Sequence, residues 1–134
     1  VKAQAGLAPF SSSGIIIRLY DAEGGSSVGE IVHDYDVRDI VNELFAAGAT
    51  GIAINNQRLV ATSSIRCAGP VILVNQKPIA VNPVTIYALG DAEVLDSSLD
   101  LIRAQFSASG VRIEVEPATD ITLPAHEQSS TVGG

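Results

Sequence analysis

The sequence predicts an α+β domain, a ferredoxin-like-related sandwich in which a mostly antiparallel sheet carries two helices on one face and extra meander strands between them. Three observations lead there. Two stretches keep the 3.6-residue apolar period of an amphipathic helix, and β-branched runs of strand length flank each of them. The interval between the helices holds short apolar runs punctuated by Asn, Gln, Ser, Gly and Pro. A chain of 134 residues has the length of one domain. Hydrophobic residues make up 46% but aromatic ones only 4%, and Trp and Met are absent, so the core has to be built from Val, Ile, Leu and Ala.

Residues 1–13 and 126–134 are poor in apolar side chains and read as loose segments around a compact unit spanning 14–125. That unit opens with GIIIRLYDA, a buried strand rich in isoleucine, followed by the turn-prone EGGSS. From Asp36 the period changes. Val37, Ile40, Val41, Leu44 and Phe45 form the stripe of a helix over Val37–Ala47, with Asp36 as N-cap, Asp39 at N3 and Gly48 as the left-handed residue that ends it. Gly51–Asn55 reads as a strand, and Asn55, Asn56 and Gln57 turn it into Arg58–Ala61. A bend at Thr62–Ser64 leads to Ile65–Cys67, Gly69 and Pro70 interrupt, and Val71–Val74 ends in a turn over Asn75–Pro78.

After Pro83 the run VTIYAL is a strand that stops at Gly90. Asp91 then caps a second helix with Leu95, Leu99, Ile102 and Phe106 on its buried side, and Gly110 terminates it. Val111, Ile113 and Val115 alternate with Arg112, Glu114 and Glu116 as a strand wet on one face, and ITLPA adds a short final strand. Because Val71–Val74 is apolar on both sides, the sheet face away from the helices is expected to have its own cover: a second sheet, a loop or another subunit.

A formal charge of −7, with no run of Lys or Arg, opposes binding to nucleic acid or an anionic membrane surface. Cys67 is the single cysteine, so no internal disulfide forms and a buried thiol is the simple reading. No apolar stretch approaches the roughly 18 residues of a membrane span, and the first residues lack a signal-peptide pattern. Val1 is not a natural start, which leaves room upstream for an anchor or a coiled coil.

From Val32 to Ile79 the residues resemble the YlxW/YlxX-like family, a bacterial domain-of-unknown-function group numbered 881. The resemblance rests on His33 and Asp34 before the helix, on Val41 to Leu44 with Ala46, Ala47 and Gly48, on the INNQR turn, and on IRCAGPVILVN around Cys67. Ala88 to Asp91 and ITLPA extend it over nearly all of the compact unit. Asn56 departs from the pattern, since relatives often carry Gly there; Asn also tolerates positive φ. The resemblance implies an upstream membrane segment and coiled coil, an extracytoplasmic position and a link to the cell envelope or division. It supplies no catalytic residues.

His33, Asp34 and Asp36 are suitable metal ligands, but acidic residues at a helix start are explained by capping, and His126, the other histidine, lies in the loose tail. Cys67 has no base or orienting group near it in sequence, and no Ser sits in a G-x-S-x-G frame. No catalytic, cofactor or metal site is therefore expected. The best candidate is a polar patch of Asn55, Asn56, Gln57, Arg58, Ser63, Ser64, Arg66 and Asn75, at the rim of the sheet and in water. In the structural reading these side chains satisfy turns and strand edges; in the functional one, Arg58 and Arg66 hold a carboxylate, a phosphate or a partner loop. The expected function is a non-enzymatic protein-interaction or self-association domain, a homo-oligomer; the alternative is a small-molecule sensor with its ligand near Arg58 and Arg66.

Overall fold

The computed structural model describes residues 10–21, 32–60, 63–68, 71–79 and 83–123. In chain order the elements are β1 (Phe10–Tyr20), α1 (Asp34–Ala46), β2 (Gly51–Ile54), β3 (Gln57–Arg58), β4 (Ile65–Ala68), β5 (Val71–Val74), β6 (Lys77–Pro78), β7 (Val84–Leu89), α2 (Ala92–Ser97), α3 (Asp100–Ser109) and β8 (Arg112–Leu123). Five strands form one sheet in the order β3-β2-β7-β1-β8, and β4-β5-β6 form another. Every strand pair in both is antiparallel.

The alternation of the strands sets where the core lies. Ile15, Ile17 and Leu19 of β1, Val84, Ile86 and Ala88 of β7, and Ile52 and Ile54 of β2 point to one side. There they share a buried cluster with Val37, Ile40, Val41 and Leu44 of α1 and with Leu95, Leu99, Ile102 and Phe106. Both helical segments thus cover the same face, and each fully buried aliphatic side chain contributes about 1.5–3 kcal/mol. Phe45, assigned to the α1 stripe from sequence, is 45% exposed. It is turned about 100° from Leu44, past the edge of the face that meets the sheet.

The small sheet joins the same core. Ile72, Val74 and Ile79 belong to the helix-side cluster, and Arg38 Nη1 on α1 donates to the Ile65 carbonyl at 2.7 Å. The second sheet therefore closes the core beside α1 and does not cover the opposite face. Among the described residues, that face is closed only toward one end, where Ala53, Leu89, Ile121 and Leu123 form a separate buried cluster.

Several boundaries move. β1 begins at Phe10, so the N-terminal segment expected to be loose through residue 13 ends earlier: Phe10, Ser11 and Ser12 pair with Leu123, Thr122 and Ile121. The pairing register slips between Ser12 and Gly14, and the Ser13 carbonyl accepts from Gly90 N–H at 3.0 Å. Next to this bulge Gly14 has no alternative, because a Cβ there would lie 1.9 Å from the Ala88 carbonyl oxygen. The two short strands expected after Gly110 are one strand, β8, running through Pro117. Pro117 does not interrupt it because β8 is the outermost strand, where outward positions need no ladder donor. Residues 22–31, which contain the expected EGGSS loop, and the tail 126–134 lie outside the described residues.

The helix ends differ too. α1 starts at Asp34 with His33 as N-cap; Asp36 is the third helical residue, and its Oδ2 accepts the His33 backbone N–H at 2.9 Å. At the other end Gly48 takes φ 100°, with Ala49 N–H bonding Leu44 O and Gly48 N–H bonding Phe45 O, both at 3.0 Å, the Schellman pattern. The second helix begins on Asp91 as expected, with Oδ1 accepting from Glu93 and Val94 N–H at 3.0 and 3.2 Å. It breaks at Ser98–Leu99, where Ser98 Oγ donates to Leu95 O and Arg103 Nη2 donates to Asp96 O.

Candidate functional site

The polar patch is built on two β-hairpins. In the first, β2 and β3 pair Ile54 with Gln57 across the two-residue turn Asn55-Asn56. In the second, β5 and β6 pair Val74 with Lys77 across Asn75-Gln76. Asn75 and Gln76 have φ of 55° and 68°, the double positive φ that suits a tight hairpin, whereas in the first turn only Asn55 is left-handed, at 53°. Positive φ thus falls on Asn55, not on Asn56.

The structure brings most of the patch together through bonds among its own members. Asn55 continues the β2–β7 ladder: its N–H donates to Thr85 O at 2.7 Å, and its Oδ1 accepts from Thr85 N–H at 3.0 Å. Asn75 joins the two sheets, since its Nδ2 donates to Arg58 O at 3.0 Å and reaches Gln57 Oε1 at 3.4 Å, while its N–H donates to Ser64 O. Ser63 Oγ accepts from Val60 N–H at 2.8 Å, and Ser64 Oγ lies 3.5 Å from Gln76 Nε2. Arg66, on β4, donates from Nη2 to Gln76 Oε1 at 2.6 Å. Asn56 and Arg66 are exposed; Asn55, Ser63, Ser64 and Asn75 are half-buried.

The expectation of a rim in water fails for Gln57 and Arg58, which are 9% and 5% exposed. Gln57 lies opposite Ile54, whose side of the sheet bears the helices. Arg58 lies opposite Ala53 on the other face, and a Cβ on Gly51 would sit 3.5 Å from Arg58 Nη2 and 2.9 Å from Leu123 Cδ1. The guanidinium and the end of β8 thus both come to Gly51, a meeting that a local reading of INNQR does not foretell. Burial pushes the Arg58 pKa below the ordinary arginine value. Arg58 and Arg66 stand in different sheets.

Two members of the junction were missed. Gln76 ties Arg66 and Ser64, and Arg38 bridges Asp34 Oδ2 at 2.9 Å to the Ile65 carbonyl. A signal for Gln76 exists in the sequence: Ile52, Ile54, Asn55 and Leu59 recur twenty positions on as Ile72, Val74, Asn75 and Ile79, which places Gln76 in a turn like that of Asn56.

At the start of α1, the His33 ring stacks on Tyr35 with centroids 4.8 Å apart, and His33 Nδ1 lies 3.8 Å from Asp36 Oδ2. Burial raises the Asp36 carboxyl pKa, opposed by the His33 N–H it accepts. Asp34 and Asp36 are thus engaged with Arg38 and His33. Among the described residues no group of three His, Cys, Asp or Glu side chains is placed to hold a metal ion. Cys67 lies on β4 opposite Ile72. No helix among the described residues is long and apolar enough to cross a membrane.

Antiparallel sheets, helices on one face and a polar junction bonded to itself define a mixed α/β domain whose most polar segment ties two sheets together. The chain belongs to the family DUF881, bacterial proteins of unknown function, which matches residues 1–133. It is 34% identical over 119 residues to the UPF0749 protein YlxW of Bacillus subtilis (strain 168), covering 82% of this chain and 50% of that protein. It is also 34% identical over 102 residues to the UPF0749 protein Rv1823 of Mycobacterium tuberculosis, covering 72% of this chain and 33% of that protein. The chain therefore spans half the length of the first of these curated relatives and a third of the second. Its fold is similar to the crystal structure of an uncharacterized conserved protein from Mycobacterium tuberculosis, with a TM-score of 0.79 and 24% identity over 96% of this chain and 90% of that one.

Proposed function

We propose that this domain is a non-enzymatic protein-interaction module that pairs with a second copy of itself through the open face of its five-stranded sheet. The observation that carries the reading is that face. Tyr87, Ile16 and Glu116 line up across its open part by register, next to the buried Ala53 and Arg58 at the closed end, and beside them run Thr85, Arg18 and Glu114. Ile16, Tyr87 and Ala118 are partly exposed and pack against its small apolar cluster. Its charges are balanced: Arg18 bonds Glu116 at 2.8 Å, and Arg112 lies 4.1 Å over the Tyr20 ring, beside Glu114. Two such faces meet without net repulsion.

The strand order β8-β1-β7-β2, read as fourth, first, third and second strands of a β-α-β-β-α-β unit, supports a ferredoxin-like plan with β3 and the small sheet inserted. In the full-length protein the module is held at the extracytoplasmic side of the membrane by a segment outside this chain, in service of the envelope or of division. The family resemblance supports that placement, and membrane fractionation with protease protection of the full-length protein tests it. The sensor alternative draws less support, because Arg58 is buried and Arg66 lies in the other sheet.

Light scattering tests the pairing. The wild-type domain is expected to show a dimer mass that falls to the monomer in Ile16→Lys and Tyr87→Lys with unchanged circular dichroism. A wild-type monomer at every concentration overturns it.

A further inference from the structure

We infer that the outer surface of the helix layer docks a cationic amphipathic segment of a different protein. This deepens the interaction-module reading and rests on it, though not on the pairing of two copies.

The charge of the molecule is divided unevenly between its layers. α1 and the 91–110 segment together hold eight acidic residues (Asp34, Asp36, Asp39, Glu43, Asp91, Glu93, Asp96 and Asp100) against two arginines, a net −6 of the chain's −7. Both arginines are already engaged. Arg38 pairs with Asp34, and Arg103 bonds Asp96 and Asp100. Among the described residues Asp39, Glu43 and Glu93 take part in no ion pair and face solvent.

The same layer carries every large hydrophobic residue that stands strongly exposed among the described residues: Tyr35, Phe45, Val94 and Leu101, the last at 71%. Two of them, Val94 and Leu101, lie on the second helical segment. The end of α1 meets the start of α2, since a Cβ on Gly90 would lie 3.6 Å from Ala49 Cα and 3.7 Å from the Gly48 carbonyl oxygen. Val94 lies in the first turn of α2, beside this seam, and Leu101 follows in the first turn of α3, whereas Phe45 lies two turns beyond Arg38 on the side of α1 from which Arg38 reaches β4.

Apolar anchors within a field of uncompensated carboxylates fit one kind of occupant: a segment with Leu-type side chains on one side and Lys or Arg on the other. A second copy presenting the same surface brings like charge against like charge. An anionic lipid surface is repelled for the same reason.

Fluorescence anisotropy with a labelled helical peptide of Leu and Lys, and with its counterpart in which Ser replaces Leu, tests this on the intact domain. Saturable one-to-one binding of the Leu peptide is expected, weakened by added salt and weakened about tenfold or more by Val94→Ser with Leu101→Ser, with circular dichroism unchanged. No binding, equal binding of the Ser peptide, or equal binding to the double variant overturns the inference. Light scattering on the same samples keeps the two proposals apart: a monomer that binds the peptide keeps this one and removes the pairing, and a dimer that does not bind it does the reverse.

Discussion

The two hairpins at the heart of the molecule are near copies with different fates. Ile52, Ile54, Asn55 and Leu59 in one match Ile72, Val74, Asn75 and Ile79 in the other, and the closing bond repeats: Leu59 N–H to Ile52 O at 2.9 Å, Ile79 N–H to Ile72 O at 3.0 Å. The inward apolar positions are buried in both. The remaining positions diverge. Gln57 and Arg58 are buried, whereas their counterparts Lys77 and Pro78 are exposed, although β3 and β6 are both edge strands: Asn75 of the other hairpin reaches Gln57 and Arg58, and the end of β8 comes to Gly51 beside Arg58, while Lys77 and Pro78 stay in solvent. The local sequence thus specifies a hairpin and its inward face. Its tertiary neighbours decide what becomes of the other face.

The most damaging way to break the comparison is to displace the first hairpin's neighbours. Gly14→Ala sets a methyl group against the Ala88 carbonyl, where β1 must lie close to β7. Backbone cannot yield there cheaply, so a loss of about 4 kcal/mol or more is expected, as for other severe steric conflicts. Denaturant unfolding measures it. Hydrogen exchange should show protection lost over 51–58 and 84–89 before 71–78.

Next comes the contrast at the equivalent strand positions 58 and 78. Arg58→Ala removes a buried side chain from beside Gly51 and is expected to cost about 2 kcal/mol, through lost packing together with the guanidinium's own interactions. Pro78→Ala, at an exposed position, is expected to stay within about 0.5 kcal/mol. Equal costs would mean that the burial of Arg58 contributes nothing.

These two substitutions also show what the sequence makes legible. The helix stripes were readable because every fourth or third residue repeats one requirement, burial against a sheet, and Leu95, Leu99, Ile102 and Phe106 all meet it. Asp91 and Gly48 were readable because caps are local chemistry. The fate of Arg58 was not, because it depends on Leu123, sixty-five positions away, crossing the end of the sheet. That the strand after Gly110 and ITLPA are one strand through Pro117 is not legible, because only the position of β8 at the sheet edge makes a proline acceptable there. An acid before an apolar stripe reads as an N-cap, yet the Asp36 carboxylate serves from inside the first turn, with His33 as the N-cap. The candidate patch was legible as a set of turn-forming residues. That Asn75 joins the two sheets was not, since its partners Gln57 and Arg58 belong to the other hairpin.

The paired asparagines sharpen the comparison further. Glycine in place of either keeps positive φ accessible and removes only the side-chain bonds. Asn75→Gly is expected to cost about 1 kcal/mol and to raise hydrogen exchange across β4–β6, because the tie to Arg58 O is lost. Asn55→Gly is expected to cost a similar amount, about 1 kcal/mol, with the rise instead at Thr85, whose N–H loses its acceptor. Exchange that rises in the same places for both variants would contradict separate roles for the two turns.

The smallest effects give the sharpest test, because one substitution is expected to act with opposite sign at equivalent positions. Gln76 holds φ 68°, a conformation unfavourable for a side chain with a Cβ, so Gln76→Gly relieves strain of about 1.5 kcal/mol. It forfeits an exposed bond to Arg66 worth about 0.5 kcal/mol and adds about as much freedom to the unfolded chain, leaving the protein about 0.5 kcal/mol more stable. Asn56 is not left-handed, so Asn56→Gly relieves no strain and adds freedom to the unfolded chain, a loss of about 0.5 kcal/mol. Urea midpoints at constant slope resolve differences of this size. Stabilisation by glycine at both positions would mean that the two turns share one backbone geometry, and the divergence of the hairpins would then begin only beyond their turns.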